Sequence, residues 1–498
     1  MSEEISIEAA CEDLVSCAVF LADNVKSAEA RAAAMEPVVA RFLEKGDVDS
    51  AAQYADSVGD PFLRDRLLIR VVAKCVETDD DEYGLQLVDA VEEDGARAAA
   101  FEAYALQKAA KGETDAAMAV ARDLEHHSEA YAGIAVNLAK AGKEAESDDV
   151  IGQIDFYSAR VDAMNEIAAM RLKNGDTEKA LEMLERAFTA CKEIEFDEDG
   201  IRGYVEIGSG FLECGRRDRA IASFDEARKL AEQLDGYHKD NILANISTAF
   251  LQAGSVDLAD RTLDLVADKT QTANALAGFS KVYFDEGDEQ EALDAAEESY
   301  GILRSESDRE IRDSKARFQV FSAVAAMFAR VGKFERSLEI ANEIPDPRVV
   351  SQTMVNIAQI SILRDEDEHF RQVVSALEME SERVASLLSA SDAKNSLEKK
   401  EEAVALVDEA AELLETVPQL ISRSELEMEI ARRYLFYGAE AKARDMATLC
   451  LQTVPEILGD SNRAIALCEL AEVFGKGGFE VSEAEQDILE SMVRKTMM

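Results

Sequence analysis

The sequence predicts an all-α protein, a right-handed α-solenoid of about thirteen antiparallel helix pairs, and three observations carry that expectation. Apolar residues recur at three- and four-residue steps along most of the 498 positions, the period of a helix with one buried face. Turn-forming residues recur at intervals of 33, 33, 30 and 33, at Gly46, Asp79, Gly112, Gly142 and Gly175. Composition agrees: six Pro, no Trp, abundant Ala, Leu, Glu and Asp, and no alternating Val, Ile or Thr run bounded by turns.

The clearest unit is Ile201 to Leu230, with Tyr204, Ile207, Gly208 and Phe211 before a turn at Gly215, and Ala220, Phe224 and Ala227 after it. A small residue at 208 lets the second helix approach, a side chain at 211 or 224 fills the gap, and Gly215 supplies the positive φ that ends the first helix. One such hairpin cannot bury its apolar face alone, so copies must stack beside it. This stretch resembles a tetratricopeptide (TPR) repeat, departing from the family pattern at Glu232, where the family prefers Pro. The resemblance covers roughly residues 32 to 490; the early units lack several aromatics, and other paired-helix repeats such as HEAT-like ones stay open there.

The chain divides accordingly. Residues 1–31 are expected as an amino-terminal capping helix, read over Ser6 to Ala30; 32–190 as regular repeats of 30 to 33 residues; 191–344 as longer TPR-like repeats; and 345–498 as carboxyl-terminal repeats with a capping helix from Ser482 to about Met492. Beyond Gly175 the turns continue through Gly215, Gly254, Gly287, Gly332, Asp365, Glu398, Gly438 and Gly478, with intervals reaching 45. Helices there are expected to be longer or linked by longer loops, with extra residues between hairpins at Glu193 to Gly200 and at Ser305 to Arg317. Pro345 and Pro347 stop one helix before the next begins.

A formal net charge of −48 argues against nucleic acid and anionic membrane surfaces as partners. Such acidity also keeps a long Ala-rich array soluble, or reflects a salty cytoplasm. Seven cysteines, odd in number and without CxxC spacing, read as reduced core residues, and the acidic amino terminus lacks the basic start of a signal peptide. A cytoplasmic protein is expected.

The TPR resemblance implies that the first helix of each hairpin lines the inner surface and binds an extended peptide or partner helix. On this chain that surface maps to Arg202, Ser209, Asn241, Asn245, Thr248, Gln252, Asn274, Lys281, Gln319, Ser322, Asn356 and Gln359, mostly amides and hydroxyls. Amides both donate to and accept from a peptide backbone. The family's clamp for a carboxyl-terminal acid is not carried over, because only Arg202 and Lys281 are basic. The adjacent His126 and His127, with Glu125 and Glu129, lack the spacing of a metal site, and His238 and His369 stand alone in charged segments. No catalytic constellation or cofactor motif is read, and no cofactor is expected. The expected function is a non-catalytic scaffold or adaptor, holding a peptide in the concave groove or a basic partner on the acidic surface. The alternatives are a self-assembling scaffold contacting through the Arg216 to Arg219 turn, and an enzyme with buried carboxylates in the concavity.

Overall fold

A computed structural model describes residues 7–125, 127–305 and 314–497. Among them the regular elements are helices alone, 28 α-helices and two short 3-10 turns. Contacts divide the chain into two units, Met1–Gln107 with Asp365–Met498, and Lys108–Arg364.

Backbone conformation marks the repeat. All thirteen turn residues read from the period have positive φ, including the three that are not glycine, Asp79, Asp365 and Glu398 at 65°, 62° and 61°. At twelve of them the reason is a shared closing motif. At Gly215 the backbone N–H donates to Leu212 O at 2.8 Å, and the next N–H, from Arg216, donates to Phe211 O at 2.8 Å. The left-handed residue thereby satisfies carbonyls that the helix end would leave bare. Five positions after eleven of the thirteen a small buried residue sits where the two helices cross; Asp365 is followed there by Phe370 and Gly478 by the exposed Glu483. Where the small residue is serine the hydroxyl is satisfied: Ser147 Oγ donates to Ala135 O at 2.8 Å and Ser337 Oγ to Ala325 O at 2.6 Å.

Hairpins are tied to their successors by buried carboxylates. Asp65, fully buried, accepts from the N–H groups of Glu92 and Glu93, each at 3.0 Å, and Asp240 accepts from Ala267 and Asp268 at 3.2 and 3.1 Å. Each carboxylate caps the chain as it enters the next hairpin, so its charge is met by oriented backbone dipoles.

Longer helices, one of the two causes expected for the wider intervals, are present: Thr177–Cys191 and Arg217–Ala231 have 15 residues each, against 9 in Val48–Asp56. Other expectations are corrected. The second half of the acidic stretch expected as an insertion is helix, since Asp197, Glu198 and Asp199 form the first turn of Asp197–Glu213, where the helix dipole favours negative charge. The other expected insertion falls largely on 306–313, outside the described residues. The first helix of the Glu398 hairpin is Glu380–Ser396.

Where the sequence predicts one helix over Ser6 to Ala30, the structure has two, Ile7–Ala10 and Leu14–Asp23, and the first hairpin begins at Ala28. Leu14–Asp23 packs along Asp460–Gly477 as the second helix of a hairpin packs on the first, and Ala28–Lys45 stacks on both as the next repeat does elsewhere. The final hairpin of its unit is therefore split, one helix from each end of the chain. Leu14, Cys17, Ala18 and Leu21 are buried on one side of this joint and Ala464, Leu467, Cys468 and Val473 on the other. Ser461 Oγ donates to Ala30 O at 2.7 Å, and Arg41 pairs with Glu472 at 3.2 Å. Helix Glu483–Thr496, started by a capping box between Ser482 and Glu485, packs on Leu14–Asp23 and on Glu440–Thr453, where Arg444 meets the buried Glu485 at 2.6 Å.

Candidate functional site

Within the Lys108–Arg364 unit, the first helices of successive hairpins from Tyr157 onward are Tyr157–Lys173, Asp197–Glu213, Gly236–Gln252, Lys269–Asp285, Ser314–Arg330 and Pro347–Leu363. Each turns one stripe of its surface, at three- and four-residue steps, toward open concavities. Two adjoining depressions result, sharing Val205 and Ser209.

The first, about 530 Å³, is lined by seven of the residues expected from sequence: Ser209, Asn245, Thr248, Gln252, Asn274, Lys281 and Asn356. Its floor is formed by small and apolar groups, among them Ala323, Ala326 and Met327. Gly278 admits the Thr248 side chain, since a β-carbon there would stand 2.9 Å from Thr248 Oγ1. The lining holds two cations, Lys281 and Arg330, and no carboxylate. Neither cation forms an ion pair among the described residues.

The second depression, about 610 Å³, has the opposite character. Asp162, Glu166, Glu206 and Glu213 line it, with Arg202 as the single cation. Arg202 pairs with Asp162 at 3.2 Å, Glu166 with Lys140 at 3.0 Å, and Asn165 Nδ2 donates to Glu206 Oε2 at 3.2 Å. Burial pushes the Asp162 carboxyl up; Arg202 opposes that push, while Glu206 and Asp199 add to it. The inner surface, expected to be mostly amides and hydroxyls, is free of carboxylates only in the depression from Ser209 to Asn356.

The remaining expected residues lie outside both linings. Asn241 Nδ2 donates to Gln271 Oε1 at 3.0 Å, Ser322 Oγ lies 2.9 Å from Thr353 Oγ1, and Gln319 and Gln359 are exposed. Sequence reasoning missed Arg330 because it followed Gln319 to Ser322, whereas the inward stripe runs Ala323, Ala326, Met327, Arg330. It missed the acidic side because the four-residue step from Arg202 to Glu206 was not extended back to Asp162 and Glu166.

Elsewhere, Asp365, Asp367 and Glu402 bring carboxylate oxygens within 4.8 Å of one another. They converge on a cation of the chain itself, the ammonium of Lys394, at 2.7, 2.9 and 3.1 Å. Of the histidines, His126 lies outside the described residues; His127, His238 and His369 each face one carboxylate, of Asp155, Glu198 and Glu366, at 3.8, 3.6 and 3.5 Å. In the Arg216 to Arg219 turn, Arg219 Nε donates to Glu185 Oε1 at 2.7 Å and its guanidinium stands 4.6 Å from the Phe188 ring centre.

Paired helices with a left-handed turn, a small residue at the crossing and stacked successors have the architecture anticipated from Ile201 to Leu230. The hairpins are TPR-like. No family model and no curated protein sequence matches the chain. Among solved structures it is similar to nearly identical TPR-like repeats of a putative kinesin light chain from Podosopora anserina, at 16% identity and TM-score 0.26, over 40% of this chain and 98% of that one. It is also similar to the apo quorum sensor NprR from B. thuringiensis, at 15% identity and TM-score 0.26, over 67% and 99%. Aspartyl phosphate phosphatase F from Bacillus subtilis gives 10% identity and TM-score 0.30, over 78% and 94%. No helix is long and apolar enough to cross a membrane, among the described residues.

Proposed function

We propose that the chain is a protein-interaction scaffold whose TPR-like groove, built from the first helices between 157 and 363, holds an extended peptide or a partner helix. One observation carries the reading. In a chain of net charge −48, the first helices of five consecutive hairpins present a concavity without a carboxylate, lined by Ser209, Asn245, Thr248, Gln252, Asn274 and Asn356 with Lys281 and Arg330. Amides that donate and accept at once suit a backbone ligand, and the alanines between them leave room for its side chains. Arg202, Asn241, Gln319, Ser322 and Gln359 belong to the same proposed inner surface at its margins. A reducing, cytoplasmic setting accords with the free, buried thiols of Cys17, Cys75, Cys191, Cys450 and Cys468.

The test is selection of a displayed random-peptide library on the full chain and, in parallel, on the N245A/N356A double variant. Peptides enriched on the parent and lost on the variant support the groove. Enrichment that is indifferent to the two substitutions would place binding elsewhere and overturn the assignment.

A further inference from the structure

The two depressions adjoin along one stretch of the Lys108–Arg364 unit and carry opposite charge. On one side of Ser209 the lining has four carboxylates against one guanidinium; on the other it has two cations and no acid. The carboxylate-free side stands in a chain whose formal net charge is −48. We infer that the groove takes an extended, charge-bipartite peptide, its basic segment beside Asp162, Glu206 and Glu213 and its acidic segment beside Lys281 and Arg330. The inference rests on the groove reading above and adds the chemistry and the polarity of the ligand.

The physical argument is one of complementary fields. A basic segment relieves the mutual repulsion of the carboxylates, a repulsion already visible in the upward push that Glu206 gives to the Asp162 carboxyl. An acidic segment supplies counter-charges to Lys281 and Arg330. Reversing the ligand sets like charges against each other at both ends, so the groove selects one orientation, and electrostatics of this kind sets specificity more than raw affinity. The length is adequate: six neighbouring helices about 9 Å apart span about 45 Å, room for about thirteen extended residues.

The test uses three synthetic fluorescent peptides of identical composition, with a neutral Ala-Ser centre: a Lys block before an Asp/Glu block, the reverse order, and the same charges alternating. Fluorescence anisotropy on the full chain at low salt is expected to show one block order binding about tenfold more tightly than the alternating peptide, the sum of several exposed pairs. The charge-exchanged variant E206K/E213K/K281E/R330E is expected to prefer the opposite order. If block and alternating peptides bind equally and N245A/N356A abolishes both, the groove stands and the charge-bipartite inference falls. If no peptide binds the parent, or binding ignores N245A/N356A, both fall. Circular dichroism of the exchanged variant verifies its fold, and K281E/R330E alone, expected to lose the preference, provides the reading should the fourfold variant not fold.

Discussion

A β-carbon added to Gly208 would stand 2.6 Å from Phe224 Cδ1, so the absent side chain of one helix is the seat of the ring on the other. Phe224 is fully buried there and meets Phe250 of the next hairpin edge-on, with ring centres 6.0 Å apart. The contact thus joins two helices within a hairpin and couples that hairpin to its neighbour. Gly208→Ala is expected to cost about 1–3 kcal/mol through overpacking, read as a lower denaturation midpoint. Phe224→Leu placed in the same chain should return part of that loss; a further loss instead would mean that the ring does not obstruct the new methyl.

Two left-handed turns separate strain from charge. Glu398 at φ 61° is exposed, and Glu398→Gly is expected to stabilise by about 0.5 kcal/mol, relief of the β-carbon clash set against a more flexible unfolded chain. Asp365 at φ 62° has the same strain, yet Asp365→Gly is expected to destabilise, because its carboxylate receives Lys394 at 2.7 Å and Lys399 at 2.6 Å.

Acid titration checks the cause. Those two lysines hold the Asp365 carboxyl down, from 3.8 to about 2. The folded value lies below the unfolded one, so the stabilisation is present above the unfolded value and is lost as pH falls through about 2. The gap between parent and Asp365→Gly should therefore close over that window, measured by chemical denaturation at stepped pH. A gap unchanged to the acid end would show that backbone conformation, not pairing, sets it.

The split hairpin yields a thiol test. Cys468 is wholly buried and its thiol is pushed up to about 12, chiefly by burial. Deleting residues 1–27 removes the helix that covers this side of Asp460–Gly477, and alkylation of Cys468 under native conditions, followed by mass spectrometry, is expected to accelerate strongly. Leu21→Ala, at a fully buried position, is expected to cost about 2–5 kcal/mol and to raise the same reactivity less. A Cys468 equally protected after the deletion would mean that Asp460–Gly477 does not depend on the amino-terminal helix.

Asn245→Ala and Asn356→Ala should leave stability within about 0.5 kcal/mol, since Asn245 is exposed and Asn356 lies at the groove surface. Loss of peptide binding with an unchanged denaturation curve is the expected pair of results.

The hairpins were legible because their grammar is local. A left-handed residue, a small crossing residue five positions later and a stripe at helical spacing are each dictated within about one turn of chain. Even Asp79, Asp365 and Glu398 could be placed by period alone, although nothing in their side chains announces positive φ. The joint of Leu14–Asp23 with Asp460–Gly477 was not legible, because the apolar stripe of Leu14, Ala18 and Leu21 shows that the helix needs a partner without saying which one. The site was legible in part for a related reason: single amides such as Asn245 and Asn274 stand out in an acidic chain, whereas a glutamate such as Glu206 looks like any other until folding sets it beside Asp162.

The joint between the chain ends also bears on how the protein is made. Leu14–Asp23 leaves the ribosome well before the helix it covers, since Ser461 and Ala30, which meet at this joint, are 431 residues apart in sequence. At translation rates of about 5–20 residues per second this helix waits roughly 20–90 s with Leu14, Ala18 and Leu21 uncovered. A helix made long before its partner is then seated late, and a nascent chain stalled before Asp460 would carry a greasy, unpartnered segment of the kind that chaperones hold and that neighbouring polysomal copies can capture.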